Sequence, residues 1–388
     1  GNLVEAFVPA RELLNIAGLP EVSQVRLPNY AYPMQGFGAS RSEGVQFVGA
    51  LPFHTAGIIG QNVTVAIIDV GFNGYAAAEI PIDPAATVSF RADATMGSSY
   101  HGTAMAEIAA DMAPGADFVL IAVDTELSVQ SAIDYVINSG IDIVCMSMGL
   151  FGGPYDGSHA VSRAVNRARA AGVFWVSASG NQAQRHYQGA WRDLNRNRFH
   201  EFSMGDESID VMLEPGQYTA YLSWYETAGA MTNRDYDLVL YDATDTEVAR
   251  SGFTQNGDDP PVDVLTAFIS TAGQYRLRIE YVSGPTAQQD MFQLFSPEVD
   301  LEAAHQVPES SLVIPAEATG SYTVGATRGA LVTDPAVPMV AIDELEPFSS
   351  QGPVVSHPEI IKPDLSGPDG VTTSLATQGV SPFIGTSA

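Results

Sequence analysis

Three side chains in the sequence lie in segments suited to acid–base and nucleophilic chemistry. Asp69 ends an apolar run at residues 63–69, and open α/β sheets build their sites at the carboxyl ends of such buried strands. His101 begins a helical pattern, where the helix dipole disfavours the protonated imidazole and keeps the ring available as a base. Ser387 lies among small residues, so a substrate could approach its hydroxyl closely.

Each of these residues also has an ordinary explanation when it is taken alone. Asp69 could be a turn or cap residue, and His101 could be a structural histidine. The tetrapeptide around Ser387 reads Gly-Thr-Ser-Ala and is short enough to occur by chance.

The elements that must position these side chains follow the pattern of a parallel α/β sheet. Nearly continuous apolar runs at residues 63–69, 118–123, 141–147 and 173–177 predict strands that are buried on both faces. Helical spacing of apolar residues predicts helices between them. After about Arg185 the period changes from 3.6 to 2, which predicts short strands. We therefore expect an α/β fold with a doubly wound, mainly parallel sheet and an inserted all-β sandwich.

Composition narrows the classes of partner. The 388 residues include 45 acidic and 17 basic ones, a formal net charge of −28 that would repel phosphate backbones and anionic lipid. We expect neither nucleic acid nor membrane as a partner, and oligomeric state stays open. Of the basic residues only Lys362 is a lysine, a bias compatible with a salty habitat or with GC-rich coding. Cys145 is the only cysteine, which excludes an intrachain disulfide.

In their order Asp, His, Ser, the three segments resemble the subtilisin-like serine peptidases. Residues 179–181 resemble the oxyanion asparagine segment of that family, and residues 146–149 resemble its substrate-binding edge. Residues 348–353, 361–365 and 367–371 resemble the segment that precedes its nucleophile. The resemblance covers roughly residues 40–185 and 310–388, and it implies a serine endopeptidase that hydrolyses polypeptides through an acyl-enzyme.

The resemblance also implies a role for each matching residue. Ser387 would attack the peptide carbonyl, His101 would act as base and then as acid, and Asp69 would hold the imidazole. The Asn181 amide and the Ser387 backbone N–H would bind the oxyanion. The substrate backbone would lie along two short segments. One contains Ser147, Met148 and Gly149, and the other contains Ser179 and Gly180.

No cofactor is required by this chemistry, and no motif specifies a metal site. Acidic turns at residues 258–259 and 242–247 could bind Ca²⁺, with solvated loops as the alternative. Three departures from the family pattern stand out. Val70 replaces the usual hydroxyl residue after the aspartate, Ala104 and Met105 stand where a second histidine is common, and the segment at residues 124–129 is short.

We expect four segments along the chain. Residues 1–35 look like the end of a propeptide, with an ordinary N-terminal extension as the alternative. Residues 36–190 and 306–388 would form the peptidase domain, and residues 191–305 an inserted β-sandwich resembling a pre-peptidase C-terminal domain. Because the sequence stops one residue after Ser387, we expect the chain as given to lack a part needed for activity. We also expect secretion, with any signal peptide outside this sequence.

Two other classes of function remain. A non-catalytic, peptidase-like module could present the β-sandwich to a protein or glycan. A nucleotide-binding α/β protein would need a Gly-rich phosphate loop after the first strand, and residues 69–74 do not form one.

Overall fold

The computed structural model forms two compact units, residues 1–35 and residues 36–388. The described residues are Asn15, Ile16, Leu19, Ser42 and residues 44–78, 86–225, 231–257, 260–285, 290–328, 344–379 and 381–388. Most of the propeptide-like segment and the turn at residues 258–259 lie outside them, so both predictions stay untested. Among the described residues no helix is long and apolar enough to cross a membrane.

In the described part of the second unit, the α-helices lie between residues 44 and 170, where they alternate with strands, and the later residues form strands, short turns and loops. Its helices are α1 (Gly44–Phe47), α2 (Leu51–Thr55), α3 (His101–Met112), α4 (Glu126–Ser139) and α5 (Ala160–Ala170). Its strands are β1 (Thr64–Asp69), β2 (Thr87–Ser89), β3 (Asp117–Ala122), β4 (Ile143–Met146), β5 (Phe174–Ala178), β6 (His186–Ala190), β7 (Ile209–Leu213), β8 (Gly216–Tyr225), β9 (Asp235–Asp242), β10 (Glu247–Arg250), β11 (Val262–Ile269), β12 (Gly273–Ser283), β13 (Met291–Phe295), β14 (Ser321–Thr327) and β15 (Leu365–Pro368).

Seven strands form one parallel sheet in the order β15-β14-β5-β4-β1-β3-β2. From β1 the chain runs outward to β2, returns to β3, and then crosses to β4 on the other side of β1. The winding therefore reverses at β1, and in open α/β sheets the binding crevice lies beyond the carboxyl ends of the strands at such a point. The predicted fold class is confirmed, and Asp69 ends the strand at the reversal.

Helices cover both faces of this sheet, as its nearly continuous apolar strands require. Successive side chains of a strand point to opposite faces, and Ile67 and Ile68 accordingly enter different cores. Ile67 packs with Ala104 and Met105 of α3, whereas Ile68 packs in the core that α4 and α5 cover.

The middle of the unit consists of two antiparallel four-stranded sheets, ordered β10-β9-β12-β7 and β11-β8-β13-β6. They share a buried core that includes Trp224, Tyr236 and Tyr275, whereas Tyr241 is only partly buried. The first strand, β6, pairs with β13 and starts at His186, before the predicted boundary at residue 191. Whether this region is an accessory domain of the pre-peptidase type stays a prediction.

Glu317 is buried where the antiparallel sheets approach the helical layer. Its Oε1 accepts a hydrogen bond from Ser162 Oγ of α5 at 2.5 Å, while no described group bonds to its Oε2. Burial raises the pKa of Glu317 to about 8. The neighbouring backbone N–H of Tyr155 donates to the Tyr225 hydroxyl, and the Tyr155 and Phe295 rings lie 4.6 Å apart.

Glu317→Gln is expected to make stability less dependent on pH. Because the pKa of Glu317 in the folded protein, about 8, lies above its ordinary value of 4.5, the stabilisation it contributes is complete below about pH 4.5 and is lost as pH rises through 8. The variant should therefore be more stable than the wild type above pH 8, by about 1–3 kcal/mol, the usual cost of an uncompensated buried polar group. Urea unfolding at pH 5, 7 and 9 measures this, with the exposed Glu298→Gln as control. Equal pH slopes for wild type and Glu317→Gln would contradict it.

Candidate active site

A buried carboxylate and an imidazole meet at the carboxyl end of β1. Asp69 has no exposed side-chain surface, and its Oδ2 lies 2.7 Å from Nδ1 of His101. Its Oδ1 accepts from the Gly71 backbone N–H at 3.3 Å. Because Nδ1 bonds to the carboxylate, Nε2 is the ring nitrogen left to exchange a proton, and the side chain is 34% exposed.

The start of α3 fixes the position of the imidazole. His101 is the first residue of this helix, as the sequence predicted, and its backbone N–H donates to Ser99 Oγ at 3.1 Å. The next residue, Gly102, donates its backbone N–H to the Gly71 carbonyl at 3.0 Å. A Cβ atom on Gly102 would lie 2.6 Å from Cβ of Asp69, so only glycine allows the helix to approach β1 this closely.

Two departures from the family pattern have a local explanation. Val70 carries no hydroxyl, and the backbone N–H of Gly71 makes the second hydrogen bond to the Asp69 carboxylate. Ala104 and Met105 are buried in the core beneath α3, so their apolar character serves packing.

Asn181 is held in one orientation by the residue next to Ser387. The backbone N–H and the hydroxyl of Thr386 both donate to Asn181 Oδ1, each at 3.0 Å. Since a backbone N–H can only donate, the acceptor must be the amide oxygen, which leaves the Nδ2 group as a donor. A Cβ atom on Gly385 would lie 2.9 Å from Nδ2, so glycine keeps the space beside this donor open.

The Ser387 hydroxyl lies at the same edge of the sheet. Its Oγ donates to the Ser147 carbonyl oxygen at 3.1 Å. Between these described residues no hydrogen bond joins Ser387 to His101. The loop that carries Ser387 is tied to the body of the protein two residues earlier, where the Gly385 N–H donates to Asp369 Oδ2 at 3.1 Å.

The predicted substrate-binding residues lie on two segments that leave the sheet side by side. Residues 147–149 follow β4 and residues 179–181 follow β5, and these strands pair through Met146 and Ser177. The second segment is fixed by Ser350, whose N–H donates to the Gly180 carbonyl at 2.8 Å and whose hydroxyl accepts from the Gln182 N–H at 2.9 Å. Met148 is partly buried against the helical core.

Sequence reasoning did not assign three residues that shape this site. Thr386 orients Asn181, Asp369 holds the Ser387 loop, and the Phe383 ring lies edge-on to His101 with centroids 5.1 Å apart. Thr386 and Asp369 both lie in segments that resemble motifs of the subtilisin-like peptidases. This position in the sequence was the signal that could have pointed to their roles. Among the described residues, no group of three or more His, Cys, Asp or Glu side chains is arranged to hold a metal ion.

A sequence profile of the subtilase family matches residues 60–388, which is most of the chain. The chain belongs to the subtilase family. A thermostable alkaline protease of Halalkalibacterium halodurans is 29% identical to this subtilase over 153 residues, which are 36% of the chain and 41% of that protein. Subtilisin DY of Bacillus licheniformis is 31% identical over 153 residues, 36% of the chain and 54% of that protein. The matched part thus spans about half the length of these curated relatives.

The fold of the subtilase is also similar to that of a solved structure. The CspB protease of Clostridium perfringens superposes with a TM-score of 0.58 at 14% identity, over 87% of this chain and 82% of that one. This similarity establishes a shared fold, and with it the predicted subtilisin-like architecture.

Gly102→Ala is expected to destabilise the subtilase by about 1–3 kcal/mol, the usual cost of an overpacked core position. The added methyl group would collide with Asp69 and Phe72 and push α3 away from β1. Gly273→Ala is the control, because a Cβ there would meet nothing within 4 Å. Thermal and urea unfolding measure both, and equal stability of the two variants would contradict the close approach.

Proposed function

We propose that this subtilase is a serine endopeptidase in which Asp69, His101 and Ser387 form the catalytic triad and Asn181 donates to the oxyanion. One observation carries the proposal: the buried Asp69 carboxylate holds the His101 imidazole through Nδ1 at 2.7 Å, at the sheet edge where Ser387 and Asn181 also lie. Family membership supports the same reaction.

The first half-reaction would form the acyl-enzyme. A serine hydroxyl is a weak nucleophile, so His101 Nε2 takes the Ser387 proton as Oγ attacks the scissile carbonyl carbon. The hydroxyl must first exchange its bond to the Ser147 carbonyl for one to Nε2, and such catalytic hydrogen bonds often form only once substrate is bound. Asp69 keeps the proton on Nδ1 and stabilises the imidazolium that results.

Charge on the substrate oxygen would be met by two donors, Asn181 Nδ2 and the Ser387 backbone N–H. Because Thr386 occupies Asn181 Oδ1, Nδ2 needs no reorientation when the oxyanion forms, which is the condition for effective electrostatic stabilisation. His101 then protonates the leaving amine, the C–N bond breaks, and water hydrolyses the ester through the same steps.

Polypeptide is the substrate class that this chemistry accepts. The acyl side of the substrate would lie along residues 147–149 as an added strand, opposite residues 179–181. Secretion belongs to the same proposal, supported by the acidic composition and by the resemblance. The family assignment does not favour the alternative of a non-catalytic binding module.

Ser387→Ala is expected to abolish both proteolysis and covalent labelling. The full-length protein would be incubated with casein and with a fluorophosphonate probe, which forms a stable bond only with an activated serine. The control is Ser270→Ala, which removes an exposed hydroxyl in the antiparallel region and should leave both signals unchanged. Folded wild-type protein that neither cleaves casein nor takes up the probe would overturn the proposal.

Asn181→Ala is expected to lower kcat by a factor of about 10² to 10³, the effect known for one oxyanion donor in a subtilisin. KM should change little, because the donor acts mainly on charge that develops in the transition state. Steady-state kinetics on a chromogenic peptide measure both constants. A rise in KM at unchanged kcat would assign Asn181 to ground-state binding instead.

A further inference from the structure

Val313 lies between the two segments that border the proposed active site. It precedes β14, and its isopropyl group packs against Gly149 after β4 and Gly180 after β5. A Cβ atom on Gly149 would lie 2.6 Å from Val313 Cγ2, and one on Gly180 would lie 2.8 Å from Val313 Cγ1. Val313 therefore fills the space that side chains at both glycines would need. We name the space between residues 147–149 and residues 179–181 the Gly149–Gly180 gap.

The backbone on both sides holds Val313 in this place. Its N–H donates to the Ser179 carbonyl at 3.2 Å, and its carbonyl accepts from the Ala316 N–H at 2.7 Å. The following residue, Ile314, exchanges two hydrogen bonds with Leu150, at 2.9 and 3.4 Å. Val313 is only 3% exposed, so a substrate could not displace its side chain without disturbing these contacts.

The proposed reaction places one substrate side chain in this gap. The scissile carbonyl must lie between Ser387 Oγ and Asn181 Nδ2, and Ser387 already contacts the Ser147 carbonyl. The substrate strand would lie along residues 147–149. The residue that supplies the scissile carbonyl would then place its side chain between the two segments, toward Val313.

We propose that Val313 is the specificity-determining residue of this site and restricts cleavage to bonds that follow small residues, namely Gly, Ala or Ser. The inference rests on the proposed peptidase function. The isopropyl group lies in the Gly149–Gly180 gap against both glycines, so Leu, Phe or Tyr before the scissile bond would overlap it. Closely packed interiors do not absorb even one added carbon without cost.

Fluorogenic peptides that differ only in the residue before the scissile bond test this with the full-length protein. The wild type should cleave after Ala with a kcat/KM at least about 10-fold higher than after Leu or Phe, since one methylene can change this ratio 10-fold or more. Val313→Ala and Val313→Gly should raise kcat/KM for the Leu and Phe peptides by about 10-fold or more. Cleavage after Ala should change little.

Val354→Ala is the matched control, since Val354 is 2% exposed and packs in a separate small core with Leu312 and Ala316. It should leave the ratio of Ala to Phe cleavage unchanged. A wild type that cleaves after Phe as well as after Ala would overturn the proposed role of Val313 but not the peptidase proposal. The wild-type profile gives this answer even if a variant does not fold. A wild type that cleaves no peptide and no casein would overturn the peptidase proposal, and this inference with it.

Discussion

The site depends on the burial of one carboxylate. Asp69 has no exposed surface, and a buried charge is very costly unless it is hydrogen-bonded and paired. Its two oxygens are matched by the imidazole of His101 and the backbone N–H of Gly71. To supply both, the chain must turn sharply after β1 and begin α3 against the same strand end. Glycine at positions 71 and 102 makes this possible, because a Cβ at Gly71 would lie 2.7 Å from the Ser99 nitrogen and one at Gly102 would meet Asp69.

The parallel sheet then brings segments that are distant in sequence to one edge. Strands β1, β4 and β5 run in the same direction, so the residues after them leave the sheet together. Ser387 reaches this edge from a loop outside the sheet, and that loop needs its own attachments. Asp369 binds the N–H of Gly385, and Asn181 binds Thr386. Asn181 thus links the loop to β5 through its amide oxygen while its nitrogen remains a donor. The same side chain therefore holds the Ser387 loop in place and supplies the proposed oxyanion donor.

Local patterns in the sequence predicted much of this arrangement. The buried strands β1, β3, β4 and β5 and the start of α3 follow from apolar runs and helical spacing, since each signal lies within about ten residues. Strands β2 and β15 were missed because they are three and four residues long, and β15 reads Leu-Ser-Gly-Pro, which has no strand pattern. Strand β11 reads Val-Asp-Val-Leu-Thr-Ala-Phe-Ile, in which apolar and polar residues do not alternate strictly, and its buried face begins with Asp263, so the sequence pattern does not show which face is inside.

Contacts between distant residues could not be predicted in this way. Val313 meets Gly149 and Gly180 across more than a hundred residues, and no spacing in the sequence reports such a contact. The only lysine, Lys362, belongs to the segment at residues 361–365, and the sequence alone does not show its partners. The structure shows why it is buried: Lys362 Nζ donates to the Ser321 carbonyl at 2.5 Å and to Asp364 Oδ2 at 2.6 Å, which ties the segment before β15 to β14.

The antiparallel region lies in the sequence between Asn181 and Val313, two residues of the proposed site, and it does not separate the segments that carry them. It begins with β6, a few residues after Asn181, and the chain returns just before Val313. Its two ends are joined at the base, where the Val307 N–H donates to the His186 carbonyl at 2.9 Å and the Leu301 N–H donates to the Gln184 carbonyl at 3.0 Å. Because these bonds close the insertion on itself, its length adds little to the entropic cost of holding the flanking segments together. The position of Val313 between Gly149 and Gly180 therefore depends on the closed base and on the hydrogen bonds that residues 313 and 314 make to Ser179, Ala316 and Leu150, and not on the many residues between.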